Sequence, residues 1–390
     1  MGDTSKKPIT KFKGLNNVAD PFRLSPDWAV QADNVDISRT SGLQRCKGFT
    51  KRTANTSITG AYATYDQTRC YVVDSGELRH MYLDLTYRVL KTGLSTTLPV
   101  YFEEVNSTVY YTNGLDFGII EPQGWRPWGV PVPSVSPNLN FVTGDLPFGT
   151  NLALCTYVDD RGMESGNSEQ IAQITGAGQL DLTNIPQLAG YTTNVYVTMC
   201  NGSVYYLLKE KAPTAITYTS ETVLGRELPY WNVDVPRGTI LEFCQGRMWA
   251  AELYPQYDFT VLWGSLPLQF HHFKYDREGI IVPGRVRMVE SAGDTLIIGT
   301  DRQIWSYDGD KMTEEAPYGV VDGFHPALVE DTLFFWTLRG LCSAMPFKNL
   351  TEDKLYVAPG LTAGAAVLEK DGMRRYVVAL RSGGQPYNRR

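Results

Sequence analysis

The sequence predicts an all-β fold built from repeated antiparallel sheets. Aromatic residues make up 12% of the 390 residues, Tyr occurs 23 times, and Gly and Pro occur 36 and 22 times. Aromatic side chains suit a pleated, half-buried strand, whereas Gly and Pro favour turns between short strands. A strand, turn and strand phrase also recurs along the chain, which indicates a repeat architecture.

Six copies of this phrase are predicted, each with an apolar first strand, a polar turn and a second strand. The copies occupy 69–83, 108–120, 247–265, 294–309, 331–347 and 373–384. Their first residues are separated by 39, 139, 47, 37 and 42 residues, and four of these intervals lie near the roughly 40 to 50 residues of a propeller blade. The spacing predicts a β-propeller of about six blades, in which each phrase is the inner hairpin of a four-stranded sheet.

The clearest copy predicts a strand over Thr295–Thr300, a turn at Asp301 and Arg302, and a returning strand over Gln303–Tyr307. Alternate side chains of such strands are expected to face the two neighbouring blades. The copies share a pattern and not identical residues, so an irregular pair of β-sandwiches is the alternative architecture.

The long interval of 139 residues predicts a domain inserted between the second and third blades. Its excess over one blade is about the size of a small β-sandwich, so we predict a fibronectin type III-like sandwich at 131–235. The first blades would then lie in 1–130 and the remaining blades in 236–390. A Pro-rich stretch at 125–140 predicts an extended linker, and Asn201-Gly202 predicts a hairpin turn.

Motifs for catalysis or metal binding are absent from the sequence. It contains no G-x-S-x-G, Walker A or H-E-x-x-H motif, and its six cysteines form no C-x-x-C pair. The adjacent His271 and His272 would point to opposite faces of a strand, and GAGQLD at 176–181 is interpreted as a hairpin turn. Carboxylate pairs such as Glu103-Glu104 are interpreted as solvated. We therefore expect no catalytic residue, cofactor or metal ion.

Net charge and hydropathy limit the partners of the chain. The formal net charge of −6 disfavours a general DNA-binding surface, although an acidic wall would let DNA pass without sticking. No apolar run approaches the roughly 18 residues of a membrane span. Most tryptophans are expected in the core, whereas Trp125 and Trp128, in the predicted linker, are the candidates for an exposed contact.

Two segments resemble virion proteins of short-tailed phages. The first is 12–49, with Gly14–Asn17, Ala32–Asp36 and a turn at Gly42–Gly48, in which Cys46 stands where a second basic residue is common in the family. The second joins PRGTILEFCQGRMWAAE at 236–252 to VLWGSLPLQFHHF at 261–273 and to the phrase at 294–309. The resemblance is to the tail nozzle, or packaged-DNA stabilisation, class.

This resemblance implies a non-enzymatic structural protein of the virion tail, assembled in the cytoplasm of the bacterial host. It implies a hexameric ring that extends the DNA channel beyond the head-to-tail adaptor or portal proteins, retains the genome and guides its ejection. Tail fibres or spikes are further expected partners, and DNA would pass without sequence-specific binding. The alternatives are a receptor-binding or carbohydrate-binding propeller, glycosidase-like or adhesive, at the tail tip, and a tail-fibre adaptor.

Overall fold

The structure is a computed structural model that describes residues 11–33, 35–37, 42–45, 57–168, 171–228, 235–274, 279–370 and 373–381. Antiparallel strands dominate these ranges, which confirms the predicted all-β fold. The helical elements of these ranges are two short 3-10 helices, Glu221–Val223 and Pro255–Tyr257. No helix in the described part is long and apolar enough to cross a membrane.

Short strands near the N-terminus precede the main sheets. They are β1 (Gly14–Leu15) and β2 (Trp28–Ala29), which pair in parallel, and β3 (Val35–Ile37) and β4 (Leu43–Arg45), which pair antiparallel. Asn17 holds this region against the far end of the chain. Its side chain accepts from the backbone N–H of Tyr356 at 2.7 Å and donates to the Tyr356 carbonyl at 2.9 Å.

Two four-stranded sheets follow, and each uses its strands in chain order. Sheet A contains β5 (Ile58–Ala63), β6 (Cys70–Asp74), β7 (Glu77–Met81) and β8 (Tyr87–Thr92). Sheet B contains β9 (Tyr101–Val105), β10 (Thr108–Thr112), β11 (Phe117–Glu121) and β12 (Gly124–Arg126).

A five-stranded sheet, here named the inserted sheet, then interrupts the series. Its strands are β13 (Asn138–Val158), β14 (Ala172–Thr183), β15 (Thr192–Thr198), β16 (Tyr205–Lys209) and β17 (Ile216–Tyr218). They are hydrogen-bonded in the order β16-β15-β13-β14-β17. The prediction of two packed sheets is therefore wrong for the described strands. One strand of 21 residues, β13, pairs with both β14 and β15 and makes the sheet continuous.

Three further sheets and a hairpin complete the described chain. Sheet C contains β18 (Ile240–Cys244), β19 (Arg247–Tyr254), β20 (Phe259–Leu266), β21 (Gln269–Phe273) and β22 (Gly279–Pro283). Sheet D contains β23 (Val286–Ala292), β24 (Thr295–Thr300), β25 (Ile304–Tyr307) and β26 (Met312–Ala316). Sheet E contains β27 (Ala327–Val329), β28 (Thr332–Thr337), β29 (Gly340–Ala344) and β30 (Lys348–Asn349), and the hairpin contains β31 (Thr362–Lys370) and β32 (Met373–Arg381).

The repeated phrases fall on the two middle strands of each sheet. The first five copies are the pairs β6-β7, β10-β11, β19-β20, β24-β25 and β28-β29, as predicted. The sixth differs, because β32 pairs with the preceding β31 and the end of that phrase lies outside the described residues. The Asn201-Gly202 turn joins β15 to β16 as predicted, although their connection has six residues, 199–204.

Apolar layers join each sheet to the next along the chain. In β24, Leu296 and Ile298 pack in the layer towards sheet C, whereas Ile297 packs in the layer towards sheet E. In β19, Met248 faces sheet B and Trp249 faces sheet D. This alternation follows from the two-residue period of a strand, and it confirms that successive side chains serve the two neighbouring sheets.

A glycine in the inserted sheet permits the main irregularity of its longest strand pair. The pairing of β13 with β14 shifts between Val142 and Leu146, and Gly178 lies opposite this shift. Gly178 has φ +122°, and a Cβ at this position would clash with the Val142 carbonyl oxygen. GAGQLD at 176–181 therefore lies inside strand β14, and its interpretation as a hairpin turn is wrong.

Replacing Gly178 with Ala is expected to destabilise the protein by about 2 kcal/mol, since the new side chain imposes both backbone strain and a clash. Chemical unfolding of the full chain measures this change. Gly364→Ala is the matched control in strand β31, because a Cβ there meets no atom within 4 Å. Equal stability of the two variants would contradict the assigned register of β13 and β14.

Candidate functional site

A cavity of about 250 Å³ lies where the first strands of successive sheets converge. Its wall is built from β5, β9, β18 and β23, from the segment before β27, and from β31. We name it the central cavity. Tyr101 and Phe324 form part of its aromatic wall, with ring centroids 4.4 Å apart. Elements distant in sequence thus line a single cavity.

Three carboxylates line the central cavity, and each comes from the first strand of a different sheet. Glu103 lies on β9, Glu242 on β18 and Glu290 on β23. Burial raises the pKa of Glu242 to about 7, although its Oε1 accepts a hydrogen bond from the backbone N–H of Ser291 at 2.7 Å. Burial, and then the neighbouring carboxylates, raise the pKa of Glu103 and Glu290 well above the ordinary value.

This convergence of carboxylates was not predicted, and the interpretation of Glu103 as a solvated carboxylate is wrong. Glu103 lies within a strand and is 8% exposed. A signal was nevertheless present in the repeat. Glu103 and Glu242 each stand five residues before the first residue of their phrases, at 108 and 247, and Glu290 stands four residues before the phrase at 294. Equivalent positions in a repeat occupy equivalent places around a shared centre.

Ion pairs fasten the inserted sheet to sheet B. Arg126 of β12 contacts Asp160 at 2.5 Å, and Arg161 binds both carboxylate oxygens of Glu121 of β11. Asp160 and Arg161 follow β13 directly. We name these two pairs the ionic latch. A guanidinium that binds both oxygens of a carboxylate fixes orientation as well as distance, so the latch restrains the turn after β13 against sheet B.

Arg161→Met is expected to cost about 1 kcal/mol at neutral pH, a small value because Arg161 is 42% exposed and its ion pair is screened by solvent. Its hydrogen bonds lower the pKa of Glu121, so the stabilisation is present above the unfolded-state value and is lost as the pH falls through the folded-state value. Unfolding at pH 7 and at pH 3 measures this difference. A loss of equal size at both pH values would contradict the ion-pair assignment.

A buried polar network centres on Glu164, which lies between β13 and β14. Its Oε1 accepts hydrogen bonds from Thr156 at 2.5 Å, Asn194 at 3.1 Å and Tyr196 at 2.7 Å. Its Oε2 accepts from Arg226 at 3.0 Å. The network ties β13, β15 and the segment after β17 together, and it forms one wall of a cleft that faces β21 of sheet C.

The histidine pair lies on the opposite wall of this cleft. The ring centroids of His271 and His272 are 4.0 Å apart and both side chains line the cleft, so the prediction that they point to opposite faces is wrong. The pairing of β20 with β21 shifts between Ser265 and Leu266, which breaks the regular alternation of side chains. The described residues contain no group of three or more His, Cys, Asp or Glu side chains arranged to hold a metal ion.

The predicted exposed contact at Trp128 is wrong. Trp128 is 4% exposed, packs against Tyr110 and Phe273, and donates from its indole N–H to the Phe270 carbonyl at 2.9 Å. The linker folds back on sheets B and C and thereby buries this ring.

Trp125 is half-buried in β12, where its N–H donates to the Tyr111 hydroxyl at 2.7 Å. The Lys91 ammonium lies 4.2 Å from the centre of the Trp125 ring. Its polar group and one ring face are therefore occupied within the chain. Equivalent places in the repeat predict a core position for Trp249, Trp305 and Trp336; Trp249 and Trp336 are buried, whereas Trp305 is only partly buried.

No protein-family model matches the chain, and no curated protein sequence matches it. Similar solved structures include PorZ of Porphyromonas gingivalis, a surface component of the type-IX secretion system, with 10% identity and a TM-score of 0.22. The match covers 80% of this chain and 44% of the PorZ chain, so this chain spans less than half of that protein.

Hsv2 of Kluyvelomyces marxianus is 10% identical, with a TM-score of 0.30 and coverage of 84% of this chain and 97% of that chain. The extracellular domain of BT4673 from B. thetaiotaomicron is 9% identical, with a TM-score of 0.24 and coverage of 90% and 62%. TM-scores this low assign neither a fold nor a function to the chain.

Proposed function

We propose that the chain is a structural subunit of the tail nozzle of a short-tailed phage. The observation that carries this proposal is the resemblance of 12–49 and 236–273 to nozzle proteins, together with the phrase at 294–309. Its mechanism would be mechanical: six copies would form a ring that extends the DNA channel, retains the genome sterically and guides its exit. The adaptor or portal proteins would bind one end, and fibres or spikes would attach at the side.

The order of the sheets supports a propeller of about six blades as the fold of this subunit. Sheets A to E follow one another in the chain, and an apolar layer joins each neighbouring pair. Trp336 of sheet E and Ala363 of β31 belong to a further apolar layer, which supports the assignment of the β31-β32 hairpin to a sixth blade. The contact of Asn17 with Tyr356 brings the N-terminal segment to the same region, where it would complete the ring.

The ionic latch supports a role for the inserted sheet as a fixed side arm of this propeller. Its strands pair only with one another in the described part, while Arg126 and Arg161 fasten it to sheet B. A side arm restrained in this way could hold a neighbouring subunit or a fibre. This arrangement explains why a DNA-guiding ring protein would carry a second unit between two of its blades.

Cryo-electron microscopy of virions that contain this chain tests the proposal. The expected result is density for six copies around the DNA axis at the far end of the tail, with about six blades in each copy. Density in a peripheral spike, or the absence of the chain from the particle, would overturn the nozzle assignment. A spike position would favour the receptor-binding alternative.

A further inference from the structure

The cleft between the inserted sheet and sheet C has the size and the position of a ligand site. Its volume is about 500 Å³, and it adjoins a more apolar pocket of about 240 Å³. Ligand sites commonly occupy such volumes and lie between structural units. His271 and His272 of β21 line both spaces and therefore stand where the polar and apolar parts meet.

A buried hydrogen-bond acceptor in the cleft has no donor among the residues that the structure describes. Gln269 lines the cleft from β21, and its Oε1 is buried and accepts no hydrogen bond from the described residues. A buried acceptor without a partner costs free energy in the folded chain. Because Oε1 is buried, a ligand hydroxyl or N–H group in the cleft would satisfy it only after the Gln269 side chain turns towards the cleft.

The polar side chains that line the cleft include both hydrogen-bond donors and hydrogen-bond acceptors. Burial lowers the pKa of His271, and burial together with the adjacent His271 lowers that of His272 to about 3, so both rings are neutral at physiological pH. A neutral imidazole carries one donor and one acceptor. The residues that line the cleft include two acidic side chains, Glu164 and Glu210, and two basic ones, Lys211 and Arg226, and Glu164 binds Arg226.

These features select a ligand without net charge that both donates and accepts hydrogen bonds. Hydroxyl groups have this property, and the planar amide, imidazole and guanidinium groups of the wall can contact pairs of neighbouring hydroxyls. The adjoining pocket presents Tyr191 and Pro131, against which the C–H face of a ring could pack. An anion would require a net positive wall, and the paired charges do not provide one.

We propose that this cleft binds a neutral, hydroxyl-rich ligand of the chemical class of a mono- or disaccharide. Gln269 would accept a hydrogen bond from a sugar hydroxyl, and His271 would contact a neighbouring hydroxyl. The ring face of the sugar would lie towards the apolar pocket. The site belongs to a single chain, so it does not depend on the proposed ring assembly.

Saturation-transfer NMR with the purified full chain tests this proposal, with glucose, galactose, N-acetylglucosamine, maltose and lactose as separate probes. At least one sugar is expected to show saturable binding. Gln269→Met removes the acceptor while keeping the side-chain size, and it is expected to weaken that binding about 2- to 10-fold through loss of one hydrogen bond. His271→Ala is expected to weaken it at least as much.

Gln173→Met is the matched control, because Gln173 is exposed on β14 outside the cleft and its replacement should leave binding unchanged. The proposal is overturned if none of the five sugars binds saturably, or if the Gln173 and Gln269 variants bind equally well. Binding of inorganic phosphate in place of the sugars would also overturn it. Sugar binding by a chain that is absent from the tail tip would refute the nozzle role and leave this site intact.

Discussion

Replacing Glu164 with Ala is expected to destabilise the inserted sheet by about 3 to 5 kcal/mol, the largest effect of any substitution considered for this unit. The change removes the common acceptor of Thr156, Asn194 and Tyr196, which are all buried. Each of these donors then loses its acceptor within the chain. Hydrogen exchange of backbone amides in β13 and β15, followed by mass spectrometry of the full chain, measures the local loss.

Two further variants distinguish the loss of the buried hydrogen bonds from the loss of a negative charge. Glu164→Gln keeps a carbonyl acceptor for the three buried donors, so its expected cost is smaller, about 1 to 2 kcal/mol. Glu210→Ala removes an exposed carboxylate near the same cleft and should leave exchange in β13 and β15 unchanged. If the backbone amides of β13 and β15 exchanged at the same rates in Glu164→Ala as in the wild-type protein, the network would not be what holds the inserted sheet together.

The strands themselves could be predicted closely, because their signals are local. The strand predicted over Thr295–Thr300 is observed with those bounds, and the returning strand begins at Ile304, one residue later than predicted. Alternating apolar residues and Gly or Asp turns encode such hairpins within about fifteen residues of chain. The five described phrases with complete hairpins were found for this reason.

Side-chain environments set by distant packing could not be predicted in the same way. The Pro-rich composition around Trp128 indicates an irregular linker, and the structure does place this residue between strands β12 and β13. Its burial depends on Tyr110 and Phe273, which lie on other sheets. Likewise, alternation predicts opposite faces for His271 and His272 only if β21 is regular, and the shifted pairing with β20 removes that condition.

The sandwich prediction failed for a related reason. Short apolar runs separated by turns predict a β unit at 131–235, but they carry no information on which strands share a sheet. The decisive element is β13, whose 21 residues include three that a sequence pattern would assign to turns, Gly144, Pro147 and Gly149. Irregular pairing around these positions lets one strand continue where two were expected.

Glu242→Gln is expected to stabilise the protein by about 3 kcal/mol at pH 8, the value that corresponds to a pKa raised from 4.5 to about 7. In the wild-type protein, burial disfavours the ionised form of Glu242, and the hydrogen bond from Ser291 offsets this only in part. Arg287 also lines the central cavity, where it donates to the Val320 carbonyl at 3.0 Å, and its Nε has no hydrogen-bond partner among the described residues. Above pH 7, unfolding exposes the ionised Glu242 to water and removes the free-energy cost of burying its charge. The uncharged amide of Glu242→Gln does not carry this cost.

The sign of the pH dependence shows whether the stability gain comes from the ionisation of Glu242 or from side-chain packing. Below about pH 4.5 Glu242 is protonated in both states, so the wild-type protein and the Glu242→Gln variant should have equal stability. Between pH 4.5 and 7 the folded state binds more protons than the unfolded state, and wild-type stability therefore falls as the pH rises. The stability difference between Glu242→Gln and the wild-type protein should grow over this interval and level off above it.

Glu314→Gln, at an exposed position on β26, is the control. Its stability difference from the wild-type protein, measured by urea unfolding, should not grow with pH. If the stability gain of Glu242→Gln did not change with pH, the gain would come from packing. That result would contradict a raised pKa of Glu242 in the central cavity.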